Sequence, residues 1–555
     1  MPDLQTRSQT NFARGMNDVA EIDSYRRDEL ASMYNARVSY DGDAGQRRDG
    51  SRRTHTVALN NGAQIYGATE FYNLTGSRFL VVIAGSNAYT STDDGATWDI
   101  RKTGLTGAGW DFTIMQSGAD RLLVMVNGSG APQTWDGAVW QDLTGESIPQ
   151  NAKLCEYHNN RLWMWGHQND LLQGSKVDDP TDFSSAVGGV TVRIEILQGD
   201  PEPRGLWSQG PSLLAMTWEQ VGHVEGWGLN TLQVLTGHRG LSRSLGCVGH
   251  RTLAQAGEAG VIWLSKLGFV YMEQGAQPTL ISGQIQRFID GLSWDNIRGD
   301  RNLPCAAWYE KRHEYHCAVP ALGNSQNTHT VVIRPPRAGR PLAIWINRPR
   351  TGEGDPFQIV DGVLELLPGG DREAAIQAGV FNLLPSGQPG LTAGIVDGVL
   401  ETTTNDTTPS AMFGADDDLD AVTGELWSGS YDGFIRRLEF GPRDDILADG
   451  SGGELITAVI RTRPESFGDV FRNARTRSTR IGLKAPLGGS IDIYPVADGA
   501  LGKKMTKTVK VQETVQTIRA RVSAKAYALQ TEVQFTDDIT IQGIEIAAEI
   551  LRESP

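Results

Sequence analysis

A short motif that recurs after about forty residues constrains this chain more than any other feature of its sequence. The segment Ser-Thr-Asp-Asp-Gly-Ala-Thr-Trp occupies residues 91–98, and a shorter version, Asp-Gly-Ala-Val-Trp, occupies residues 136–140. An apolar run precedes each copy, at 79–86 and at 122–129. The repeat therefore covers a whole structural unit, and a period of about 40–45 residues is that of a β-propeller blade.

The residues of the first copy predict a tight, self-bonded turn. The Ser91 hydroxyl and the Asp93 carboxylate can accept hydrogen bonds from the backbone of the turn, and Gly95 tolerates a positive φ. Thr97 completes the motif, and Trp98 has a fixed position from which its ring can be buried between neighbouring sheets. The motif resembles the Asp-box of sialidase-type propellers, where it is a structural hairpin away from the catalytic pocket. The resemblance implies a structural role for these five residues.

The composition agrees with an all-β fold. Among 555 residues there are 65 glycines and 14 tryptophans, and short apolar runs alternate with Gly, Asp and Asn turns. We predict a β-propeller of about six blades over residues 54–350, closed by strands within 423–454. Longer alternating strands predict a β-sandwich docking domain at 455–555, and the N-terminal arm, 1–53, is a candidate to complete it.

Residues 351–422 interrupt the blade pattern. The sequence Ile-Val-Asp-Gly-Val-Leu-Glu occurs at 359–365 and again at 395–401. Asp-Gly between alternating apolar residues is a strong hairpin signal. We interpret the segment as a duplicated hairpin insertion that forms a distal tip or gate; a divergent blade is the alternative.

Positive charge is concentrated near the C-terminus of an acidic chain. The net charge is −15, yet residues 457–525 carry fourteen Lys and Arg against five Asp and Glu, which leaves −24 on the rest. This asymmetry suggests a basic surface for an acidic partner, or simply a solvated β-face. Arginine clusters that could bind phosphates or, as we favour, the carboxylates of neighbouring subunits are Arg47, Arg48, Arg52, Arg53, Arg472, Arg475, Arg477 and Arg480.

Several function classes lack their usual sequence signals. The four cysteines are far apart, the polar N-terminus does not resemble a signal peptide, and no apolar run is long enough for a membrane helix. His313, His316, Cys317 and Cys305 are close in sequence, but His316 and Cys317 are adjacent on a predicted strand and point to opposite faces. We therefore expect no metal, cofactor or disulfide, and assembly in the cytoplasm.

The N-terminal arm carries a second resemblance. Asn-Ala-Arg-Val at 35–38 is followed by Asp41-Gly42, and Arg-Arg-Asp-Gly-Ser-Arg-Arg occupies 47–53. With downstream segments such as His-Asn-Asn-Arg-Leu-Trp at 158–163, this order is similar to the tail nozzle, or packaged-DNA stabilisation, proteins of short-tailed bacteriophages. The resemblance implies a structural virion protein: a homohexameric ring below the portal and adaptor that retains the packaged genome and conducts double-stranded DNA during ejection, next to distal tail proteins or fibres.

A glycan-directed propeller is the alternative function. Sialidases use arginines for the substrate carboxylate and a Tyr–Glu pair for the chemistry, whereas Tyr309 and Glu310 are adjacent in this sequence. No P-loop, G-x-S-x-G or H-E-x-x-H motif is present. The sequence reveals no catalytic constellation, so it predicts a protein that is not an enzyme, with a sialidase-like or glycan-binding propeller kept as the second hypothesis.

Overall fold

The structure is a computed structural model that describes the chain between residues 4 and 550. Residues 195–201, 227–231, 234–241 and 468–473, the segments between the strands of 349–424, and shorter breaks of at most four residues lie outside the description. Within the described part, α-helix is confined to α1 (Gln286–Asp290) and α2 (Trp294–Gly299). The remaining regular structure is almost entirely β-strand, which confirms the predicted all-β class.

The N-terminal arm consists of short strands that join three different sheets. These strands are β1 (Leu4–Gln9), β2 (Gly15–Met16), β3 (Glu29–Leu30), β4 (Ser32–Tyr34), β5 (Ala36–Val38), β6 (Gly45–Arg47) and β7 (Ser51–Arg53). Strands β1, β5 and β6 enter the sheet of the C-terminal strands, whereas β7 is the outer strand of the last blade. The arm therefore completes a C-terminal sheet and also closes the propeller.

Five four-stranded antiparallel meanders follow one another along the chain. Blade 1 contains β8 (Ile65–Tyr72), β9 (Arg78–Ala84), β10 (Asn87–Ser91) and β11 (Asp99–Lys102). Blade 2 contains β12 (Asp111–Ser117), β13 (Asp120–Val126), β14 (Gln133–Trp135) and β15 (Trp140–Asp142). Blade 3 contains β16 (Leu154–His158), β17 (Arg161–Gln168), β18 (Leu171–Gly174) and β19 (Val190–Arg193). Blade 4 contains β20 (Gly205–Gln209), β21 (Ser212–Met216), β22 (Val221–Gly226) and β23 (Leu232–Gln233). Blade 5 contains β24 (Ala254–Ala256), β25 (Gly260–Ser265), β26 (Gly268–Glu273) and β27 (Thr279–Leu280).

A further meander and the last blade complete the circle. The shared meander contains β28 (Cys305–Tyr309), β29 (Glu314–Val319), β30 (His329–Arg334) and β31 (Ala343–Asn347), and it continues through β4 into a larger sheet. Blade 6 contains β38 (Pro409–Ala415), β39 (Glu425–Ser430) and β40 (Ile435–Leu438), with β7 as its fourth strand. The predicted propeller of about six blades is thus confirmed, with the shared meander between blades 5 and 6.

Paired strands are also present in the predicted insertion and just after blade 6. The strands are β32 (Phe357–Val360), β33 (Val363–Leu366), β34 (Ile376–Gln377), β35 (Val380–Phe381), β36 (Thr392–Val396), β37 (Val399–Thr403), β41 (Arg443–Asp444) and β42 (Glu454–Leu455). Val360 pairs with Val363, and Val396 pairs with Val399. Both repeated segments therefore flank two-residue connections, 361–362 and 397–398, which lie outside the described residues. Their role as a tip or gate stays a prediction.

The C-terminal strands build two facing sheets. They are β43 (Ala458–Arg461), β44 (Ala474–Ala485), β45 (Gly489–Ala497), β46 (Ala500–Leu501), β47 (Met505–Val509), β48 (Gln512–Ala520), β49 (Lys525–Ala526), β50 (Leu529–Phe535) and β51 (Thr540–Ile550). One sheet has the order β48-β44-β51-β6-β5, and the other joins β43, β50 and β45 to β4 and the shared meander. Ile481 and Ile544 of the first sheet share a core with Ile493 and Val533 of the second.

Apolar contacts between blade faces hold the circle together. Trp135 of blade 2 packs with Phe71 and Phe79 of blade 1, and Trp427 of blade 6 packs with Ile65 and Val82 of blade 1. Similar clusters join blades 2 and 3, blades 3 and 4, and blades 4 and 5. Burial of apolar surface in every junction is the main stabilising term for this arrangement.

Candidate functional site

The first strands of the blades and of the shared meander lie at the centre of the propeller. Among them β12 contacts β8 and β16, β16 contacts β20, β28 contacts β24 and β38, and β38 contacts β8. Seven charged or titratable residues lie at or near the N-terminal ends of five of these strands. We call this group the axial cluster; its members are Asp111, Lys153, Glu156, Glu202, Arg204, His250 and Arg301. Because the innermost strands of all blades run in the same direction, the cluster lies at one end of the central axis.

Asp111 and His250 connect blades 2 and 5 across this end. The Nε2 atom of His250 donates to Oδ1 of Asp111 at 2.9 Å, and the Cys155 N–H of blade 3 donates to Oδ2 at 2.8 Å. The Leu206 N–H of blade 4 donates to Nδ1 of His250 at 3.2 Å. Burial lowers the pKa of His250, but the Asp111 carboxylate outweighs it, so the net effect raises this pKa.

Glu156 is the second carboxyl group of the cluster. Burial raises the pKa of Glu156 to about 8, and the charge of Asp111 also raises it. His250 and the Ser208 N–H act in the opposite direction without cancelling the shift. Glu156 is half-buried, so part of the residue still meets solvent although its carboxyl lies deep in the cluster. At neutral pH this group is mostly protonated and can donate a proton.

The three cations of the cluster lie around Glu202, and Arg301 also interacts with the charge of Asp111. Arg204 is almost fully buried; its Nη2 lies 2.9 Å from Oε2 of Glu202, and its guanidinium stacks on Trp218. The Nζ of Lys153 lies 2.8 Å from the other oxygen of Glu202. Burial lowers the pKa of Arg301, whose Nη1 is buried and has no hydrogen-bond partner among the described residues. The cluster thus offers, next to Asp111 and Glu202, a cation whose Nη1 has no hydrogen-bond partner among the described residues.

Asp111, Glu156 and His250 are not among the residues predicted from the sequence. They are isolated in the sequence and come from three blades, so no local motif connects them. A signal existed in the blade period: Asp111 and Glu156 are 45 residues apart and occupy the starts of successive inner strands. Aligning the strand starts of all blades would have placed both carboxyl groups at one end of the axis.

The Asp-box residues form the predicted turn, away from the axial cluster, between the third and fourth strands of blade 1. Ser91 Oγ accepts from the Gly95 N–H at 2.9 Å, and Asp93 accepts from the N–H and the hydroxyl of Thr97 at 2.9 and 2.6 Å. Gly95 has φ +77°. Burial raises the pKa of Asp93, but the hydrogen bonds from Thr97 and Ser91 outweigh it and lower the pKa. The half-buried Trp98 ring packs on the apolar cluster between blades 1 and 6.

The N-terminal arginines contact carboxylates and carbonyls of the chain itself, and their role at a subunit interface stays a prediction. Arg48 is buried and forms a two-pronged ion pair with Asp444, and Arg53 binds Asp445 in the same way. Arg47 donates to the carbonyl of Pro442 at 2.8 Å, and Arg52 donates to the carbonyl of Ala448 at 2.6 Å. The physical reason is that β7 pairs with β40, which places the arm beside residues 442–448.

The C-terminal arginines have a different environment. Arg475, Arg477 and Arg480 are exposed on one face of β44, and Arg472 lies outside the described residues. Arg477 forms an ion pair with Glu549, and Nη1 of Arg480 lies 3.2 Å from Oε1 of Glu545. These three arginines are therefore the predicted interface candidates that remain accessible.

The histidine and cysteine set does not converge. His313 lies in a turn with φ +53°, and His316 faces Glu314 at 3.3 Å. Cys317 points to the other side of β29, into the core, and all four cysteines are free and buried. Across the part of the chain that the structure describes, no group of three His, Cys, Asp or Glu side chains is arranged to hold a metal ion.

Comparison with known proteins adds information on the fold. No protein-family model and no curated protein matches the sequence. A solved glycoside hydrolase is similar to this chain at 10% identity and a TM-score of 0.24, covering 89% of this chain and 99% of its own. A glycoside hydrolase family 43 arabinoxylan arabinofuranohydrolase from Bacillus subtilis, solved with cellotetraose, has 11% identity and a TM-score of 0.20, and the match covers 90% of this chain and 97% of that protein. A chain of the mitotic checkpoint complex has 10% identity and a TM-score of 0.32, and the match covers 71% of this chain and 94% of that chain.

These comparisons correct one prediction. The sequence predicts a protein that is not an enzyme, whereas the solved structures similar to this chain include glycoside hydrolases, so that prediction is withdrawn. At 10–11% identity the likeness concerns the fold alone, and the activities of those proteins are not transferred to this chain. The carboxyl groups of the axial cluster come from different blades and are brought together only by the circular arrangement of the blades. Among the helices described, none is long and apolar enough to cross a membrane.

Proposed function

We propose that this chain is a glycan-directed β-propeller whose axial cluster binds a sugar and hydrolyses a glycosidic bond. One observation carries the proposal: a carboxyl group with a pKa of about 8, Glu156, lies in the same cluster as a second carboxyl group, Asp111. Glycoside hydrolysis generally uses two carboxyl groups held in different protonation states by their surroundings. The axial cluster provides such a difference.

The two carboxyl groups have separate roles in this proposal. Glu156 is protonated at neutral pH and donates its proton to the oxygen of the leaving sugar. The Asp111 carboxylate faces the anomeric carbon and either activates a water or stabilises the positive charge of the transition state. His250 and the Cys155 N–H hold the two oxygens of Asp111 in place. The bond between the anomeric carbon and the leaving oxygen breaks, and the hydroxyl group of a water adds to that carbon. The remaining proton of this water returns to Glu156, either directly or through Asp111 and solvent.

The cations favour a sugar that carries a carboxylate. Arg301 has a buried Nη1 without a hydrogen-bond partner among the described residues, and Lys153 and Arg204 contact Glu202 close by. A guanidinium group binds a planar carboxylate through two parallel hydrogen bonds. A sialic or uronic acid residue is therefore the preferred substrate class, which agrees with the sialidase-like alternative predicted from the sequence.

The experiment is turnover of a panel of fluorogenic glycosides, acidic and neutral, together with a glycan array. We expect hydrolysis of an acidic member and a loss of about 10²–10⁴-fold in kcat for Glu156→Gln, since this variant cannot donate the proton. Asp111→Asn should also lower kcat. Asp99→Asn, an exposed carboxylate on β11, is the matched control and should leave the rate unchanged. Absence of turnover and of array binding for the parent chain would refute the proposal.

A structural role in a short-tailed bacteriophage particle is the second candidate. One observation favours it: the segment that carries the resemblance joins the propeller to the C-terminal sheets. Arg37 donates to Glu439 at 2.6 Å and to Asp49 at 2.7 Å, and Arg48 pairs with Asp444. A rigidly joined subunit suits a ring that retains and conducts DNA in a virion tail, and a glycan-directed propeller is compatible with that place.

Native mass spectrometry tests the second candidate. The 60.3 kDa chain is expected to form a hexamer, alone or on a portal and adaptor ring, because identical head-to-tail contacts close into a ring. A chain that stays monomeric in the presence of such rings would remove this candidate and leave the glycan proposal untouched.

A further inference from the structure

One edge of the C-terminal sheet is formed by C-terminal strands alone. Strand β48 and the short β49 lie on the same side of β44, and no described strand pairs with their outer side. The opposite side of the sheet is completed by the N-terminal arm, since β1 and β6 both pair with β51. An unpaired edge of nine residues presents free backbone donors and acceptors to any extended chain that approaches it.

Like charges face each other along this edge. Arg519 of β48 lies directly opposite Arg480 of β44, and Lys525 of β49 lies directly opposite Arg475. All four residues are exposed. Like charges in directly opposed positions destabilise a pair of strands. The isolated chain therefore carries an electrostatic cost at two points of one edge.

The carboxylates of the chain offset only part of this cost. Arg480 contacts Glu545 at 3.2 Å, on the side of β44 away from the edge. Arg475, Arg519 and Lys525 have no ion-pair partner among the described residues. The surrounding segment, residues 457–525, also has nine more positive than negative charges. Negative charge supplied from outside the chain would neutralise both pairs.

An exposed apolar side chain lies next to the charged positions. Val515, four residues before Arg519, is 52% exposed and sits over Gly482, with its Cγ1 3.8 Å from the place of a Cβ atom there. Val511 and Leu487 are 72% and 80% exposed at the same end of the sheet. The edge therefore combines free backbone, an apolar position and two basic positions.

We propose that the β48–β49 edge accepts an extended acidic segment of a partner protein as an additional strand. Main-chain hydrogen bonds to β48 give the affinity, and side chains on one face give the specificity, as in other cases of strand addition. Carboxylates of the partner neutralise the Arg480–Arg519 and Arg475–Lys525 pairs, and an apolar side chain covers Val515.

The register of the sheet defines the pattern of the partner. Val515 and Arg519 are four residues apart on one face of β48. Arg480 and Arg475 are five residues apart on β44, which would normally place them on opposite faces of the sheet. A bulge between Thr476 and Ser478 takes up one residue, so both lie on the same face. The partner segment should therefore carry an apolar residue and two acidic residues at intervals of four, about 14 Å each along a strand.

The test uses the full chain and designed peptides. The acidic peptide has eleven residues, with Val at the second position, Glu at the sixth and tenth, and Thr elsewhere; the basic peptide has Lys in place of both Glu. Fluorescence anisotropy measures binding, and hydrogen exchange measures protection of the β48 amides. We expect the acidic peptide to bind, with an affinity that falls as salt is added, and to protect β48.

Charge reversal separates this site from general attraction. Arg519→Glu should weaken binding of the acidic peptide at least about fivefold, which is the equivalent of one surface ion pair, and should allow the basic peptide to bind. Arg101→Glu, an exposed arginine on β11, is the matched control and should change neither affinity. Circular dichroism verifies that each variant is folded. Failure of the acidic peptide to bind, equal effects of Arg519→Glu and Arg101→Glu, or binding without protection of β48 would each overturn the proposal.

Discussion

At the scale of single residues, the surroundings of a side chain decide its chemistry. Glu156 and Glu513 are the same residue type, but Glu513 is exposed on β48, while Glu156 lies among Asp111, His250 and the protein interior. Desolvation disfavours the charged form of a carboxyl group, and a nearby negative charge adds to this effect. The surroundings of Glu156 therefore keep its proton in place.

The raised pKa of Glu156 makes the stability of the fold depend on pH. The pKa is about 8 in the folded chain against 4.5 for an ordinary glutamate, so the folded state binds the proton more tightly. The stability that this proton binding gives to the folded state is fully present below about pH 4.5 and is lost as the pH rises through about 8. The Glu156→Gln variant has no carboxyl group to titrate at this position. Its free energy of unfolding, relative to that of the parent, should therefore rise by more than about 1 kcal/mol between pH 5 and pH 9.

Urea unfolding at pH 5, 7 and 9 measures this difference. Asp99→Asn serves as the control, and its free energy of unfolding should follow that of the parent at every pH. If Glu156→Gln and the parent have parallel pH profiles, then Glu156 titrates normally and the proton-donor role falls with it.

At the scale of elements, the two copies of the turn motif differ in how many hydrogen bonds they make. Asp93 accepts from Ser91 Oγ and from two groups of Thr97, whereas Asp136 accepts from the Ala138 and Val139 N–H groups at 2.7 Å. The first copy also fixes Trp98, whose Nε1 donates to the Gly95 carbonyl at 2.9 Å. The complete copy therefore orders its whole turn, while the shorter copy orders only the loop backbone.

This difference predicts unequal costs of truncation. Asp93→Ala should lower the free energy of unfolding by about 1–2 kcal/mol, and Asp136→Ala by about half as much, because the net value of one such hydrogen bond is about 1 kcal/mol or less at an exposed site. Chemical denaturation measures both. Thr92→Ala, at an exposed position of the same turn, provides the control. A larger loss for Asp136→Ala than for Asp93→Ala would contradict the assignment.

At the scale of the whole molecule, the core does not stop at the predicted domain boundary between residues 454 and 455. A single apolar cluster contains Phe12 of the arm, Ile262 of blade 5, Tyr315 of the shared meander and Ile481 of the C-terminal sheet. The shared meander and the C-terminal strands also belong to one continuous sheet. The propeller and the C-terminal sheets are therefore joined by packing and by hydrogen bonds, with the arm between them.

The Arg48–Asp444 pair tests this joint. Both side chains are about 8% exposed, so Arg48→Met leaves a buried carboxylate without its partner and should cost about 3 kcal/mol of unfolding free energy. The double variant Arg48→Met with Asp444→Leu should recover most of this loss, since no charge then remains buried. The adjacent Arg47→Met removes a bond to a carbonyl and should cost less than about 1 kcal/mol. Denaturation curves measure the free energy of unfolding of the three variants. If the double variant loses as much as Arg48→Met, the unpaired buried charge is not the cause of the loss.

The sequence by itself determined the features that depend on neighbouring residues. Alternating apolar residues defined the strands, the motif at 91–98 defined a turn and a blade period, and together they predicted a propeller with a β-rich C-terminal region. Such signals are local, because strand formation and turn geometry depend on residues a few positions apart. The tertiary structure alone decided what depends on distant residues: Asp111, Glu156 and His250 meet only because the blades close into a circle, and Arg480 faces Arg519 only because β44 and β48 pair in one register. Charge, burial and pKa are properties of such juxtapositions, so the sequence could locate the basic segment and the blade period, while the contacts within the axial cluster and along the basic edge follow only from the fold.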